Sequence, residues 1–234
     1  MQKEQHTDRI VRANPGEDRG STKSRSENRK ELKHMTEDEI LELRKRATKE
    51  LYGSIHSEVT YIGEKRYHFV EQEIPVANIL VCLPKEFIVL PPVIARQKYP
   101  SEMRPKFIKS STDITVNFAF NYLPDKIQES ELINYRNAAV DMLRKLFPQN
   151  TYLDTGLNYY GEKKGHLFSW YEYYGPTIDV ESYSFNALLV KDGRVLHFLF
   201  NCPKSIYVDW RPVVFETIST IRDKPIGWKG ESDL

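Results

Sequence analysis

The chain has 234 residues, 40% hydrophobic, 12% aromatic and 29% charged, with a net charge of +1 at neutral pH. That length and apolar content provide for one buried core plus a tail, and the near-neutral balance excludes a global field drawing the molecule to nucleic acid or an anionic membrane. No stretch approaches the roughly 20 apolar residues of a membrane helix, and no apolar run opens the chain as a secretory signal would, so the expected compartment is the cytoplasm.

Residues 1–30 contain only Met1, Ile10, Val11 and Ala13 as apolar residues. Such a segment buries too little surface to offset the entropy of ordering, and residues 1–35 are expected to form a disordered tail. Thr36-Glu37-Asp38-Glu39 fits a capping box. It opens a helix over 36–53 with Ile40, Leu43, Ala47 and Leu51 at helical spacing, closed by Gly53.

Two short β-rich runs, Val59 to Ile62 and Arg66 to Glu71, flank Gly63-Glu64-Lys65 and predict a hairpin. Val76 to Leu83 is an apolar strand stopped by Pro84. Residues 90–110 hold Pro91, Pro92, Pro100 and Pro105, which predict an irregular excursion. The alternation of Ile114, Val116, Phe118 and Phe120 with polar or small residues predicts a strand. From Gln128 to Phe147 the period is helical, with Leu132, Tyr135, Ala139, Met142, Leu143 and Leu146 on one side and Pro148 ending it. Thr151 to Tyr160 and His166 to Tyr174 read as strands.

Asp192-Gly193 is a two-residue turn requiring positive φ. It pairs Lys191 with Arg194, Leu189 with Leu196, Ala187 with Phe198 and Phe185 with Phe200. Tyr183, Phe185, Ala187, Leu189, Leu196, Phe198 and Phe200 then share one face, which must be the core face, because a one-residue slip would bury the mixed set. Asp209 is the expected N-cap of a last helix carrying Val214, Ile218 and Ile221. Together these elements predict an α+β domain over 56–224, an antiparallel sheet flanked by helices, with a helical extension before it and a tail over 225–234.

Three stretches carry a family resemblance: Ile79-Leu80-Val81-Cys82-Leu83-Pro84-Lys85-Glu86-Phe87; the strand from Ile114 to Phe120 with the helix up to Phe147; and Val195 to Asn201 followed by Trp210-Arg211-Pro212-Val213-Val214-Phe215-Glu216-Thr217-Ile218. Over about residues 66–223 the pattern resembles the PsbP/DcrB-like superfamily, which includes the yeast Ran-release factor and the Eag-type chaperones of type VI secretion. The resemblance implies a non-enzymatic layered domain that binds proteins or peptides as an accessory factor or chaperone. Residues 1–55 and the excursion at 90–110 have no counterpart in it.

The six histidines include no His-x-x-x-His or His-Glu pair, and no Gly-x-Ser-x-Gly elbow, P-loop or dinucleotide fingerprint is present. Cys82 and Cys202 are expected to be reduced and buried, and no metal or cofactor is expected. The remaining signal is aromatic. If Phe168 and Trp170 point inward, Ser169, Tyr171 and Tyr173 point outward beside Asn186, Leu188, His197, Leu199 and Asn117, and rings of this kind are enriched at interfaces. These eight residues are the expected protein-binding groove on a freer sheet face. The expected partner is another protein or a peptide segment, not nucleic acid and not a membrane interior, and a homodimer is compatible with the pattern. An immunity protein that neutralises a toxin, and a hydrolase or transferase with an unrecognised site, are the competing readings.

Overall fold

A computed structural model describes residues 54–102, 104–161, 165–177 and 180–228. The expected tail over 1–35, the helix over 36–53 and most of the tail over 225–234 lie outside the described residues. The fold is α+β, and every strand pairing is antiparallel. The chain opens with β1 (Thr60–Ile62), β2 (Lys65–Tyr67), β3 (Phe69–Ile74), β4 (Ile79–Pro84) and β5 (Ile88–Val89). Next come helix α1 (Pro92–Lys98), β6 (Phe107–Ser110), β7 (Asn117–Lys126), helix α2 (Leu132–Leu146), β8 (Thr151–Tyr160) and β9 (His166–Pro176). The chain closes with β10 (Glu181–Lys191), β11 (Arg194–Pro203), helix α3 (Tyr207–Ser219) and β12 (Arg222–Asp223).

Seven strands form one sheet in the order β5-β6-β7-β11-β10-β9-β8, and β12-β4-β3 form a second. The β10–β11 hairpin has the register expected from its turn, with Lys191 opposite Arg194 and Phe185 opposite Phe200. Asp192 and Gly193 both have positive φ, as a two-residue hairpin turn requires. Tyr183, Phe185, Ala187, Leu189, Phe198 and Phe200 are fully buried. They meet α3, whose Trp210, Val213, Val214, Thr217 and Ile218 are buried at the i, i+3, i+4, i+7, i+8 spacing of one helical stripe, and Ile74, Ile79, Val81 and Leu83 of β3 and β4 join the same core.

An ion pair ties α3 to the large sheet. Glu172 of β9 is 4% exposed. It receives Arg211 Nε at 2.9 Å and Nη2 at 3.1 Å, and the Tyr183 hydroxyl donates to the same carboxylate. The Arg211 guanidinium also lies 5.1 Å from the Phe215 ring centre. A buried carboxylate is tolerated only with its lone pairs satisfied in this way.

Four expectations are corrected. The excursion at 90–110 is not irregular: Pro92 occupies the first turn of α1, where a missing N–H costs nothing, and β6 follows. The strand expected from Ile114 starts at Asn117 instead, since Asp113 Oδ1 accepts from Ser111 Oγ and Thr115 N–H and holds Ile114 at φ 61 in a turn. On α2, Met142 and Leu146 are exposed rather than part of the buried stripe, while Leu132 and Val140 are buried. Asp209 lies within the first turn of α3 rather than at its N-cap, and Ile221 is beyond its end.

Register and burial together predict the response to substitution at neighbouring positions. Phe198→Ala is expected to cost about 3–5 kcal/mol, the range for a buried aromatic truncated without collapse. Leu199→Ser, half-buried on the opposite face, should cost about 1–2 kcal/mol. Urea denaturation of both variants checks the order, and a costlier Leu199 variant would contradict the assignment of faces.

Candidate functional site

The second face of the seven-stranded sheet is organised as rows running across the strands. One row reads Ser110, Asn117, Asn201, Ser184, Tyr173 and Tyr152. The next reads Ile108, Ala119, Leu199, Asn186, Tyr171 and Thr155, and a third reads Asn121, His197, Leu188, Ser169 and Leu157. All eight residues expected in a groove therefore do share one face. Directly opposed residues on an antiparallel pair point to the same side, so the strand alternation alone brings them together.

That face is not open. Helix α2 covers one half: Leu132 and Val140 pack with Tyr171, Leu188 and Val195. Helix α1 covers the other: Ile94, Ala95 and Tyr99 pack with Leu90, Ile108, Ala119 and Leu199. Asn117, Ser169, Tyr171, Asn186 and Leu188 are consequently buried, while Tyr173, His197 and Leu199 are half-buried. The expected open groove is corrected on this point: the residues are neighbours, but two helices lie over them.

Between the two helices runs a polar seam. Tyr99 of α1's C-terminal end donates to Asn201 Oδ1 at 2.9 Å, and Asn201 Nδ2 donates to Ser184 Oγ at 2.7 Å. Ser110 Oγ donates to Asn117 Oδ1 at 2.8 Å. His197 Nε2 lies 3.0 Å from Asn186 Oδ1, a distance suited to a neutral ring donating its Nε2 proton. Burial pushes the His197 imidazole down to about 4. Burial also raises the Tyr173 phenol, against the opposing effect of Ser184 and Asn186. At neutral pH the seam thus holds a neutral imidazole and neutral phenols bonded to amides and hydroxyls. Such groups position one another; none is poised near 7 for proton transfer. Among the described residues, no cluster of three or more His, Cys, Asp or Glu side chains is arranged to hold a metal ion.

The accessible features lie at the sheet's edge, which sequence reasoning passed over. Among the described residues β8 has β9 on one side only, and its outer edge is unpaired. Its sequence, TYLDTGLNYY, has one charge and neither lysine nor proline, the residues that commonly guard an edge strand. Leu153, Leu157 and Tyr159 are exposed on it, and Ile133, Met142, Leu146 and Phe147 are exposed on α2. These are seven of the thirteen exposed large apolar side chains among the described residues. Arg136 Nη1 donates to Gly156 O at 3.0 Å, which fixes α2 beside the strand. Gly156 admits no side chain, because a Cβ there would stand 2.5 Å from the Trp170 indole beneath it. The sequence shows only that this strand is ten residues long and nearly uncharged; its place at the edge comes from the strand order.

No known family profile matches the sequence, and no curated protein matches it. Among solved structures the fold is similar to the cyanobacterial PsbP (CyanoP) of Synechocystis, at 8% identity and a TM-score of 0.47, over 69% of this chain and 95% of that one. It is similar to LpqN of Mycobacterium tuberculosis, described as involved in cell envelope biogenesis, at 11% identity and a TM-score of 0.43, over 70% of this chain and 95% of that one. It is also similar to PA94, a protein of unknown function from Pseudomonas aeruginosa, at 11% identity and a TM-score of 0.39, over 68% and 99%. At these identities the likeness concerns the fold. No helix among the described residues is long and apolar enough to cross a membrane.

The lowered His197 pKa has a consequence for stability. A folded-state pKa of about 4, below the unfolded value of about 6.5, means that the unfolded chain takes up a proton the folded one refuses. Stability is therefore unaffected above about pH 6.5 and falls as the pH drops from there towards 4, by on the order of 1–2 kcal/mol at pH 5. His197→Gln should remove that component. Urea midpoints at pH 7 and pH 5 for both proteins check it; equal losses in the two would contradict a buried neutral imidazole.

Proposed function

We propose that the chain is a non-enzymatic accessory factor or chaperone that binds another protein along the open edge of its large sheet. The observation that carries this reading is β8: ten residues long, paired on one side only, and flanked by exposed apolar side chains of its own and of α2. An unpaired edge offers a row of backbone donors and acceptors to an incoming extended segment, while the alternate side chains provide selectivity. Exposed large apolar side chains gathered on one strand and the helix bonded to it are a feature of interaction surfaces. The seam supports the same reading from the other side, since Tyr99, Asn201, Ser184, Ser110, Asn117 and His197 are bonded within it and lie under the two helices. Binding is thus moved from the face anticipated in the sequence to the edge beside it.

Leu157→Lys with Tyr159→Lys is the direct test. Both side chains are exposed, so the double variant should keep its circular dichroism and melting temperature. Interface energy concentrates in a few desolvated anchors, each often worth about 2 kcal/mol or more, so affinity for the protein captured by the unaltered chain should fall at least tenfold. Titration of that captured partner against both proteins by calorimetry reads the difference. Undiminished binding by the edge variant, with loss in a Tyr173→Ala variant that stays folded, would return the interface to the seam.

A further inference from the structure

The large sheet has a second open edge at β5, the opposite end of the strand order from β8. Ile88 and Val89 are both exposed there. The Leu90 N–H donates inward to Ile108 O, and Val89 lies opposite Lys109 in the ladder. Inward-bonded and outward-facing positions alternate along an antiparallel edge. The N–H and C=O of Val89 therefore face away from the sheet as one unused donor–acceptor pair. Pro91 and Pro92 follow, so the open ladder is no longer than that single pair before the chain turns into α1.

Beside this pair, α1 and the start of β6 border a cavity of about 360 Å³. Leu90 and Ile108, which share the face under α1, provide an apolar floor, while Arg96, Arg104 and Lys106 provide a cationic rim with no acidic side chain among the lining residues. Arg96 Nε donates to Pro92 O and Arg104 Nη1 to Ser101 O, both within their own turns. Among the described residues no carboxylate pairs with any of these three cations. Three like charges around an apolar pocket repel one another, and an incoming anion relieves that repulsion while its neighbouring apolar group covers the floor.

We propose that this pocket is a second binding site, independent of β8, for an extended peptide segment of another protein in which a carboxylate side chain and an apolar one stand two residues apart, on the same face of the segment. The peptide backbone takes up the Val89 donor–acceptor pair, the carboxylate meets Arg96, Arg104 and Lys106, and the apolar side chain rests on Leu90 and Ile108. The Val89 pair selects a peptide over a free amphiphilic acid, because a fatty acid has no N–H and C=O to match it.

The test uses a dye-labelled hexapeptide with glutamate, leucine and glutamate at alternate positions and threonine between them, its counterpart with lysine in place of glutamate, and fluorescence anisotropy with the full chain. The acidic peptide should bind, weaken as salt is raised, and outbind the basic one at least tenfold. Arg96→Glu with Arg104→Glu should reverse that preference without changing the melting temperature. Val89→Pro, which removes the outward N–H, should weaken the acidic peptide at least threefold, whereas Val89→Ala, which keeps the N–H, should not. Absence of binding, equal binding of both peptides, or an unchanged response in the charge-reversed variant would overturn the site. Displacement of the peptide by octanoate, together with no effect of Val89→Pro, would also overturn it, since the pocket would then take small amphiphilic acids. The edge variant Leu157→Lys with Tyr159→Lys should bind the acidic peptide as the unaltered chain does, which separates failure here from failure at β8.

Discussion

The register of the β10–β11 hairpin is the constraint on which the rest of the domain depends. A two-residue turn at Asp192-Gly193 leaves one way to pair the arms. Once Phe185 stands opposite Phe200, the side-chain period of two sends Tyr183, Phe185, Phe198 and Phe200 to one face and Ser184, Asn186, His197 and Asn201 to the other. β7 and β9 pair on either side of this hairpin and inherit its phase: Phe118 and Phe120 join the first face, Asn117 and Asn121 the second. The first face is then large and aromatic enough to receive α3, and the Glu172–Arg211–Tyr183 contact fixes where that helix lies.

The second face has to be covered by other means, because it mixes Leu188 and Val195 with asparagine and histidine. Two helices do this, each over its own apolar patch, and the polar row falls between them, where Tyr99, Asn201 and Ser184 satisfy one another. Buried polar groups that are bonded in this way specify how the helices dock, at less cost than unsatisfied ones. With both faces occupied, the sheet's remaining valence lies at its edges. β8 is apolar and nearly uncharged; β5 is short and bordered by cations. The two edges thus differ in the chemistry they present, which suits them to different segments.

Much of this was legible in the sequence wherever a local rule admitted a single solution. The hairpin register followed from its turn, β8 and β9 from their β-rich runs, and the α+β class from short connections between strands. The sharing of one face by Asn117, Tyr171, Asn186 and His197 followed from alternation alone. What was not legible was the cover over that face. α1 was hidden because Pro91 and Pro92 read as breakers, whereas a proline in the first helical turn begins a helix without penalty. Its few apolar residues, Ile94, Ala95 and Tyr99, show no extended period. The start of β7 was misplaced because the Asp113 side chain builds a turn that interrupts an apparently continuous alternation at Ile114. Edge position itself is a property of strand order, which no single strand encodes, so the exposure of Leu157 and Tyr159 could not be read from β8 alone.

Recognition at the sheet's edge, not on its face, is the central claim, and hydrogen–deuterium exchange with and without the captured partner measures it most directly. The outward-facing backbone amides of β8 between Thr155 and Tyr160, which alternate with those bonded to β9, should slow when the partner binds, with α2 following to a lesser degree. Amides of β10 and β11, already paired on both sides, should be unchanged. Slowing concentrated in 184–201, with β8 exchanging as it does in the free chain, would contradict the account and place the partner on the covered face.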